Sequence, residues 1–217
     1  MTDPAAFAAA RANMLAHQLR DRGISDARVL AAMGAVPREL FVEPGLVQRA
    51  YGDEALPTLG GQTISQPLMV AIMTQLLAVE PGMRVLEVGA GSGYQAAILG
   101  ALGCRVTGVE RLHVLAEAAR GRLETIGLAD SVEIVEADGS IGHLEGSPWP
   151  RIMVSAGARR VPATLVDQLA DQGRLVIPVG SRTHQDLLLV ERRGAETVTT
   201  SHGPCVFVPL VGVDGWA

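Results

Sequence analysis

The feature that most constrains this fold is an apolar run that meets three closely spaced glycines. Residues 84–88 (RVLEV) are followed by 89–93 (GAGSG), and a helical pattern begins at Tyr94. This order is typical of a buried parallel strand, a tight turn and a helix whose N-terminus faces a nucleotide-like ligand. The segment therefore predicts an α/β fold with a ligand site at the end of this strand.

The spacing of the glycines narrows the class of ligand. A dinucleotide-binding turn has the pattern G-x-G-x-x-G, and its third glycine would fall at position 94, which is Tyr94. The pattern here is G-x-G-x-G, the form found in methyltransferases that use S-adenosyl-L-methionine (AdoMet). We therefore predict an AdoMet site whose turn consists of Gly89, Ala90, Gly91, Ser92 and Gly93.

The rest of the chain alternates as α/β proteins do. We predict strands at 84–88, 105–109, 132–136, 151–155 and 174–178, and helices at 94–102, 111–126 and 161–170. Three more strands, at 187–191, 196–200 and 205–210, follow without a helix between them. The prediction is a doubly wound, mostly parallel, Rossmann-like sheet with antiparallel C-terminal strands.

The N-terminal part predicts a helical elaboration of this core. Apolar residues recur at helical spacing from Phe7 to Met33 with a break at Gly23, and Ser25-Asp26 is a candidate cap for the second helix. A further amphipathic helix is predicted at 68–79. We interpret residues 1–217 as one domain, with a helical and active-site segment (1–80), a cofactor-binding core (81–180) and C-terminal strands (181–217).

Composition and charge exclude several classes of protein. No uncharged run approaches the ~18–20 residues of a membrane span, and Cys104 and Cys205 are too few for a disulfide framework. We therefore expect a soluble cytoplasmic protein without a membrane partner. The net charge of −5 argues against nucleic-acid binding, and the absence of lysine excludes Schiff-base chemistry.

Carboxylates stand at the ends of the next two predicted strands. Glu110 ends the second strand, where an ionised acid can accept both hydroxyls of a ribose. Asp138 and Gly139 follow the third, where the carboxylate can accept from an adenine amino group. The alternatives are a helix cap for Glu110 and an ordinary turn for Asp138-Gly139. Together with the glycine turn, these strand ends favour AdoMet.

The end of the fourth strand separates types of reaction. Residues 155–157 (SAG) carry no carboxylate and no Asp/Asn-Pro-Pro-aromatic motif, which disfavours methylation of a nucleobase amine. No metal is expected, because the histidines are scattered along the chain: His17, His113, His143, His184 and His202.

Residues 61–67 (GQTISQP), preceded by 55–57 (ALP), resemble a motif of the protein-L-isoaspartate (D-aspartate) O-methyltransferase family in its bacterial form. The resemblance extends over most of the chain. Further similar segments are 36–42, 87–97, 110–111, 173–180 and 207–210.

The resemblance implies a repair enzyme that uses AdoMet to methylate the free α-carboxyl of L-isoaspartyl residues, releasing S-adenosyl-L-homocysteine (AdoHcy). The ester then cyclises to a succinimide, which opens partly to aspartate. Its partners would be isoaspartyl-containing proteins and peptides. Ser65 would be the active-site residue. The cofactor would be surrounded by Gln62, Thr63, Ile64, Glu87, Gly89 to Gly93, Glu110, Asp138 and Gly139.

Simple acid–base chemistry agrees with this activity. A carboxyl acceptor, with a pKa of about 4, is already ionised near neutral pH and needs no general base. The Ser65 hydroxyl could donate one hydrogen bond to it. The alternative for Ser65 is an ordinary turn or cap serine before Pro67. A monomer is expected, although the N-terminal helices could pack on a partner instead of their own core.

Two single positions, Ala137 and Arg151, and the stretch 155–157 depart from the commoner family pattern. The departure at 155–157 leaves the peptide preference of the enzyme open. Two rival hypotheses remain, a nicotinamide-dependent oxidoreductase that uses the same glycine turn and a non-catalytic AdoMet-binding module. Tyr94 at the third-glycine position and the lack of a proton-relay pair count against the oxidoreductase.

Overall fold

The computed structural model describes residues 4–217, which form a seven-stranded mixed sheet and a separate pair of two-residue strands. The small pair consists of β1 (Leu56–Pro57) and β2 (Thr63–Ile64). The large sheet contains β3 (Arg84–Val88), β4 (Arg105–Glu110), β5 (Val132–Glu136), β6 (Trp149–Val154), β7 (Leu169–Gly180), β8 (Gln185–Arg193) and β9 (Glu196–Cys205).

The order across the large sheet is β5-β4-β3-β6-β7-β8-β9. The first five strands in this order run parallel, and β8 and β9 are antiparallel to their neighbours. The order reverses beside β3, the point at which doubly wound sheets bind ligands. This topology confirms the predicted mostly parallel sheet with an antiparallel C-terminal part.

Six α-helices flank the sheet or precede it. They are α1 (Pro4–Asn13), α2 (Ala27–Ala35), α3 (Pro67–Leu77), α4 (Tyr94–Ala101), α5 (His113–Thr125) and α6 (Ala163–Asp167). A π-helical turn (Met14–Leu19) and a 3₁₀ turn (Arg20–Arg22) continue α1 as far as Gly23, where φ is +95°. Of the predicted cap pair, Asp26 caps α2, because its carboxylate accepts from the backbone N–H groups of Arg28 and Val29.

The core lies on both faces of the sheet. Val85 and Met153 belong to the larger cluster, which includes buried residues of α2, α3 and α4. Leu86 and Val88 belong to a second cluster on the opposite face. Because both faces are covered, the central strands β3 and β6 are apolar along most of their length. Glu87, which points to the same face as Val85, is therefore an exception that needs an explanation.

Two sequence predictions are wrong. The helix predicted at 161–170 is only α6 (163–167), because Leu169 already pairs with Trp149 in the sheet. The strand predicted at 205–210 does not form, because β9 ends at Cys205 and Pro209 has no N–H to donate to a ladder. Pro209 makes only an isolated bridge with Gly157.

Among the helices of residues 4–217, none is both long enough and apolar enough to span a lipid bilayer.

Candidate active site

The glycine turn between β3 and α4 needs glycine at all three positions. The φ angles are +80° at Gly89, +54° at Gly91 and +85° at Gly93, a region that side chains strongly disfavour. A Cβ atom at Gly93 would also lie 3.0 Å from the Cβ of Ala119 in α5. The turn can therefore hold backbone N–H groups at the edge of the sheet without side chains in the way.

A cleft of about 610 Å³ opens at the carboxyl ends of β3, β4 and β6. Its walls combine strand ends with two distant segments of the chain. They include Gln62, Thr63, Gly89, Gly91, Glu110, Gly139 and residues 208–211. The cleft therefore brings together six of the twelve residues expected around the cofactor.

Glu110 is 6% exposed and faces this cleft from the end of β4. One carboxylate oxygen accepts from Gly91 N–H and the other from Leu112 N–H, each at 2.9 Å. The carboxylate thus ties the glycine turn to the start of α5. Because an ionised carboxylate offers about four acceptor positions, it retains capacity for the hydroxyls of a ribose.

Asp138 and Gly139 are placed differently from each other. Gly139 lines the cleft, whereas Asp138 does not. The Asp138 carboxylate accepts from Ser140 N–H at 2.9 Å and from Val213 N–H at 2.8 Å. Partial burial opposes ionisation of Asp138, but these hydrogen bonds outweigh it and lower its pKa. Its contacts hold the C-terminal segment in place, and a contact with adenine stays a prediction.

A second, smaller cavity of about 320 Å³ adjoins the cleft. Thr63, Gly89, Gly91 and Ser155 line both spaces, so the two meet at the end of β6. Other residues expected at the site face only the smaller cavity: Ile64, Ser65, Glu87, Ala90 and Ser92. Gly93 lines neither space and serves the turn itself.

Glu87 is completely buried in β3, beside the smaller cavity and not the larger cleft. One of its oxygens accepts from the Ser155 hydroxyl at 3.0 Å, and the other has no hydrogen-bond partner. Burial raises the pKa of Glu87 to about 8, against the opposing effect of the Ser155 hydrogen bond. Burial therefore favours the protonated, neutral form of this side chain.

Arg38 supports the site from behind, a role that its place in the similar segment 36–42 did not predict. It is 0% exposed and lies over the Tyr94 ring, with 4.7 Å between the guanidinium carbon and the ring centroid. It donates to the backbone carbonyls of Ala50 and Ser65, each at 2.7 Å. Burial lowers the pKa of Arg38 despite the neighbouring tyrosines. The guanidinium thereby anchors the loop that carries Ser65.

The C-terminal segment was predicted as a strand and is instead a wall of the cleft. Residues 208–211 line it, and the Trp216 indole N–H donates to the carbonyl of Gly157 at 2.9 Å. Arg159 and Arg182 both lie against the Trp216 ring. These contacts join residues far apart in sequence, so no local pattern could have revealed them.

The residues around the two spaces suit a cofactor such as AdoMet beside a smaller acceptor group. Glu110 offers an acceptor for hydroxyls, the glycine turn offers close backbone approach, and Val109 and Leu210 offer apolar walls. Across residues 4–217, no group of three or more His, Cys, Asp or Glu side chains could hold a metal ion.

Comparisons with known proteins agree with this geometry. A model of the family "Protein-L-isoaspartate(D-aspartate) O-methyltransferase" matches residues 10–215. A protein-L-isoaspartate O-methyltransferase of Methanoregula boonei is 47% identical, over 100% of this chain and 99% of its own length. One from Methylorubrum populi is 52% identical, over 94% of this chain and 95% of its own.

Solved structures show the same likeness in three dimensions. A protein-L-isoaspartate O-methyltransferase superposes with a TM-score of 0.82 at 29% identity, covering 94% of this chain and 66% of that one. A Plasmodium falciparum homologue in complex with S-adenosyl-L-homocysteine superposes with a TM-score of 0.78 at 25% identity. The match covers 93% of this chain and 96% of that one. Because the family model spans residues 10–215 and these relatives match in sequence and in fold, the chain belongs to the protein-L-isoaspartate (D-aspartate) O-methyltransferase family.

Proposed function

We propose that this chain is a protein-repair enzyme that transfers a methyl group from AdoMet to the free α-carboxyl of L-isoaspartyl residues in damaged proteins. The observation that carries the proposal is the smaller cavity. Ser65 and Ser155 line it, and burial favours the neutral form of the one acidic side chain in its lining, Glu87. It is suited to an acceptor that arrives already ionised.

This arrangement matches the chemistry of a carboxylate acceptor. A carboxyl with a pKa near 4 carries its charge at neutral pH, so no residue has to remove a proton. What the protein must supply is desolvation and alignment of one carboxylate oxygen, which is an orientation effect. The Ser65 hydroxyl can donate a hydrogen bond to that carboxylate and hold it. Arg38 supports this role, because it fixes the carbonyl of Ser65.

The larger cleft would hold the cofactor. Glu110 would accept the ribose hydroxyls, while the backbone of the glycine turn and the apolar wall at 208–211 would enclose the rest. When bound, AdoMet supplies an electrophilic methyl group on a sulfonium. Thr63, Gly89, Gly91 and Ser155 stand where the two spaces meet, and would keep water from the reacting groups.

The product would be a methyl ester, which cyclises without the enzyme to a succinimide and opens partly to normal aspartate. We further propose that the enzyme acts as a cytoplasmic monomer on isoaspartyl-containing proteins. Support comes from buried, unpaired Cys104 and Cys205, and from α2 and α3, which pack into this chain's own core.

The repair reaction tests this function. An isoaspartyl peptide incubated with the protein and AdoMet should disappear and give the succinimide and then the aspartyl peptide, separated by chromatography. Omitting AdoMet is the control. An isoaspartyl peptide that persists unchanged in the complete mixture would contradict the proposal.

A further inference from the structure

Glu87 is a buried acid that the proposed function leaves without a task. It lies in the central strand β3, with Gly108 of β4 and Met153 of β6 as its register partners. None of the ion pairs within residues 4–217 involves it, and one of its oxygens is unpartnered. Burying such a group costs free energy, so its contacts point to a role at the adjoining cavity.

Among residues 4–217, its one side-chain hydrogen-bond partner is Ser155, which stands directly after β6. The Ser155 hydroxyl donates to one Glu87 oxygen at 3.0 Å, and a protonated Glu87 can donate in the opposite direction across the same distance. Ser155 lines both the cofactor cleft and the smaller cavity, so it stands where the two spaces meet. Ser65 lines the same smaller cavity. A carboxylate placed there could accept hydrogen bonds from two hydroxyls.

We propose that Ser155 is a second hydroxyl that binds the acceptor carboxylate, and that Glu87 is a positioning residue which donates its own proton to the Ser155 oxygen. This inference rests on the proposed function and adds residues to its acceptor site. The hydrogen-bond chain runs from the Glu87 carboxyl O–H to Ser155 Oγ, and from the Ser155 O–H to the acceptor. No proton is transferred along it during methylation.

The direction of this chain depends on the protonation of Glu87. A neutral carboxyl can donate, which frees the single O–H of Ser155 for the acceptor. An ionised Glu87 would take that O–H for itself and turn a lone pair of Ser155 toward the anionic substrate. An ionised Glu87 would also place its negative charge near the negatively charged carboxylate of the substrate. The burial that raises the pKa of Glu87 to about 8 keeps the favourable form at neutral pH.

A different role for Glu87 follows from its expected place in the cofactor site. There it would be an ionised carboxylate that attracts a cationic part of AdoMet. The two roles make opposite predictions for a neutral replacement, because glutamine keeps a hydrogen-bond donor and removes the charge.

The first test compares Ser155→Thr with Ser155→Val, which have the same shape and differ in the hydroxyl. We expect threonine to retain activity and valine to lower kcat/KM for an isoaspartyl peptide by about 10- to 100-fold, the size of a hydrogen bond to a charged group. The dissociation constant of that peptide from the AdoHcy complex, measured by calorimetry, should rise for valine alone. AdoHcy affinity and melting temperature should match in the two variants.

The second test compares Glu87→Gln with Glu87→Met. Glutamine should keep kcat/KM and AdoHcy affinity within about threefold of wild type, and methionine should lower kcat/KM as Ser155→Val does. The two losses should not add in the double variant, because both break one chain. If methionine prevents folding, the glutamine variant alone decides between the two roles.

Three results would overturn the proposal. The first is equal peptide binding by the valine and threonine variants. The second is a loss of AdoHcy affinity of more than about tenfold in Glu87→Gln, which would assign Glu87 to the cofactor as an ion. The third is a wild-type chain that fails to methylate the isoaspartyl peptide, which would remove the proposed function as well.

Discussion

At the scale of single residues, the account depends on how Ser65 is held. Its carbonyl accepts from the buried Arg38 guanidinium at 2.7 Å, and it lines the smaller cavity and not the cofactor cleft. We therefore expect Ser65→Ala to lower kcat by about 10- to 100-fold, the size of one hydrogen bond to a charged group. AdoHcy affinity by calorimetry should stay within about twofold. Wild-type turnover in the variant would remove Ser65 from the mechanism.

The protonation of Glu87 gives a prediction for stability. Its pKa rises from an ordinary 4.5 to about 8 in the folded protein, mainly through burial. Below the lower value both states hold the proton, so its contribution to stability is fully present there. Above it the unfolded chain releases the proton first, and the contribution is lost as pH rises toward the folded pKa. Glu87→Gln cannot ionise and escapes this loss.

Denaturant unfolding of both proteins at a series of pH values measures the effect. The unfolding free energy of Glu87→Gln relative to wild type should increase by on the order of a few kcal/mol between about pH 5 and about pH 8. Groups that titrate in both proteins cancel in this difference. A difference that does not change with pH would show that Glu87 ionises normally in the folded protein.

At the scale of elements, the turn between β3 and α4 can be tested with two glycines. Gly93 has φ +85° and no room for a Cβ against Ala119, whereas Gly121 lies within α5 with open space around it. Gly93→Ala should reduce the unfolding free energy by about 1–2 kcal/mol or more. Gly121→Ala should increase it by about 0.5–1 kcal/mol. Equal effects in thermal unfolding would contradict the assigned turn conformation.

The strands show which elements could be predicted from the sequence. Strands β3, β4 and β5 were predicted within one residue, because each carries β-branched or apolar residues between turn or helix signals. A strand was also predicted at 205–210, since the segment is apolar. Residues 208–210 instead line the cleft, and Phe207 N–H donates to the Gln185 side chain.

Contacts across the fold explain what sequence reasoning missed at the site. Glu110 could be predicted, because strand order alone places it beside the glycine turn. The role of Arg38 could not, because it depends on acceptors 12 and 27 residues away along the chain. The pairing of Glu87 with Ser155 could not be predicted either. These two residues are 68 positions apart and meet only because β3 and β6 are neighbours.

At the scale of the whole molecule, membership of the family predicts that AdoHcy, and not a dinucleotide, binds in the larger cleft. This cleft of about 610 Å³ adjoins the smaller cavity that Ser65 lines. Thermal unfolding with saturating AdoHcy should therefore raise the melting temperature by several degrees, because a ligand that binds the native state stabilises it. NAD at the same concentration should leave it unchanged. Stabilisation by NAD alone would favour the oxidoreductase.

The central claim concerns the acceptor, and a pair of peptides tests it most directly. The peptides have one sequence and differ only in whether a single residue is L-isoaspartyl or L-aspartyl, and each is incubated with the protein and methyl-labelled AdoMet. The account predicts base-labile label on the isoaspartyl peptide and background on its aspartyl twin. Equal labelling of the two peptides, or no labelling of either, would contradict it.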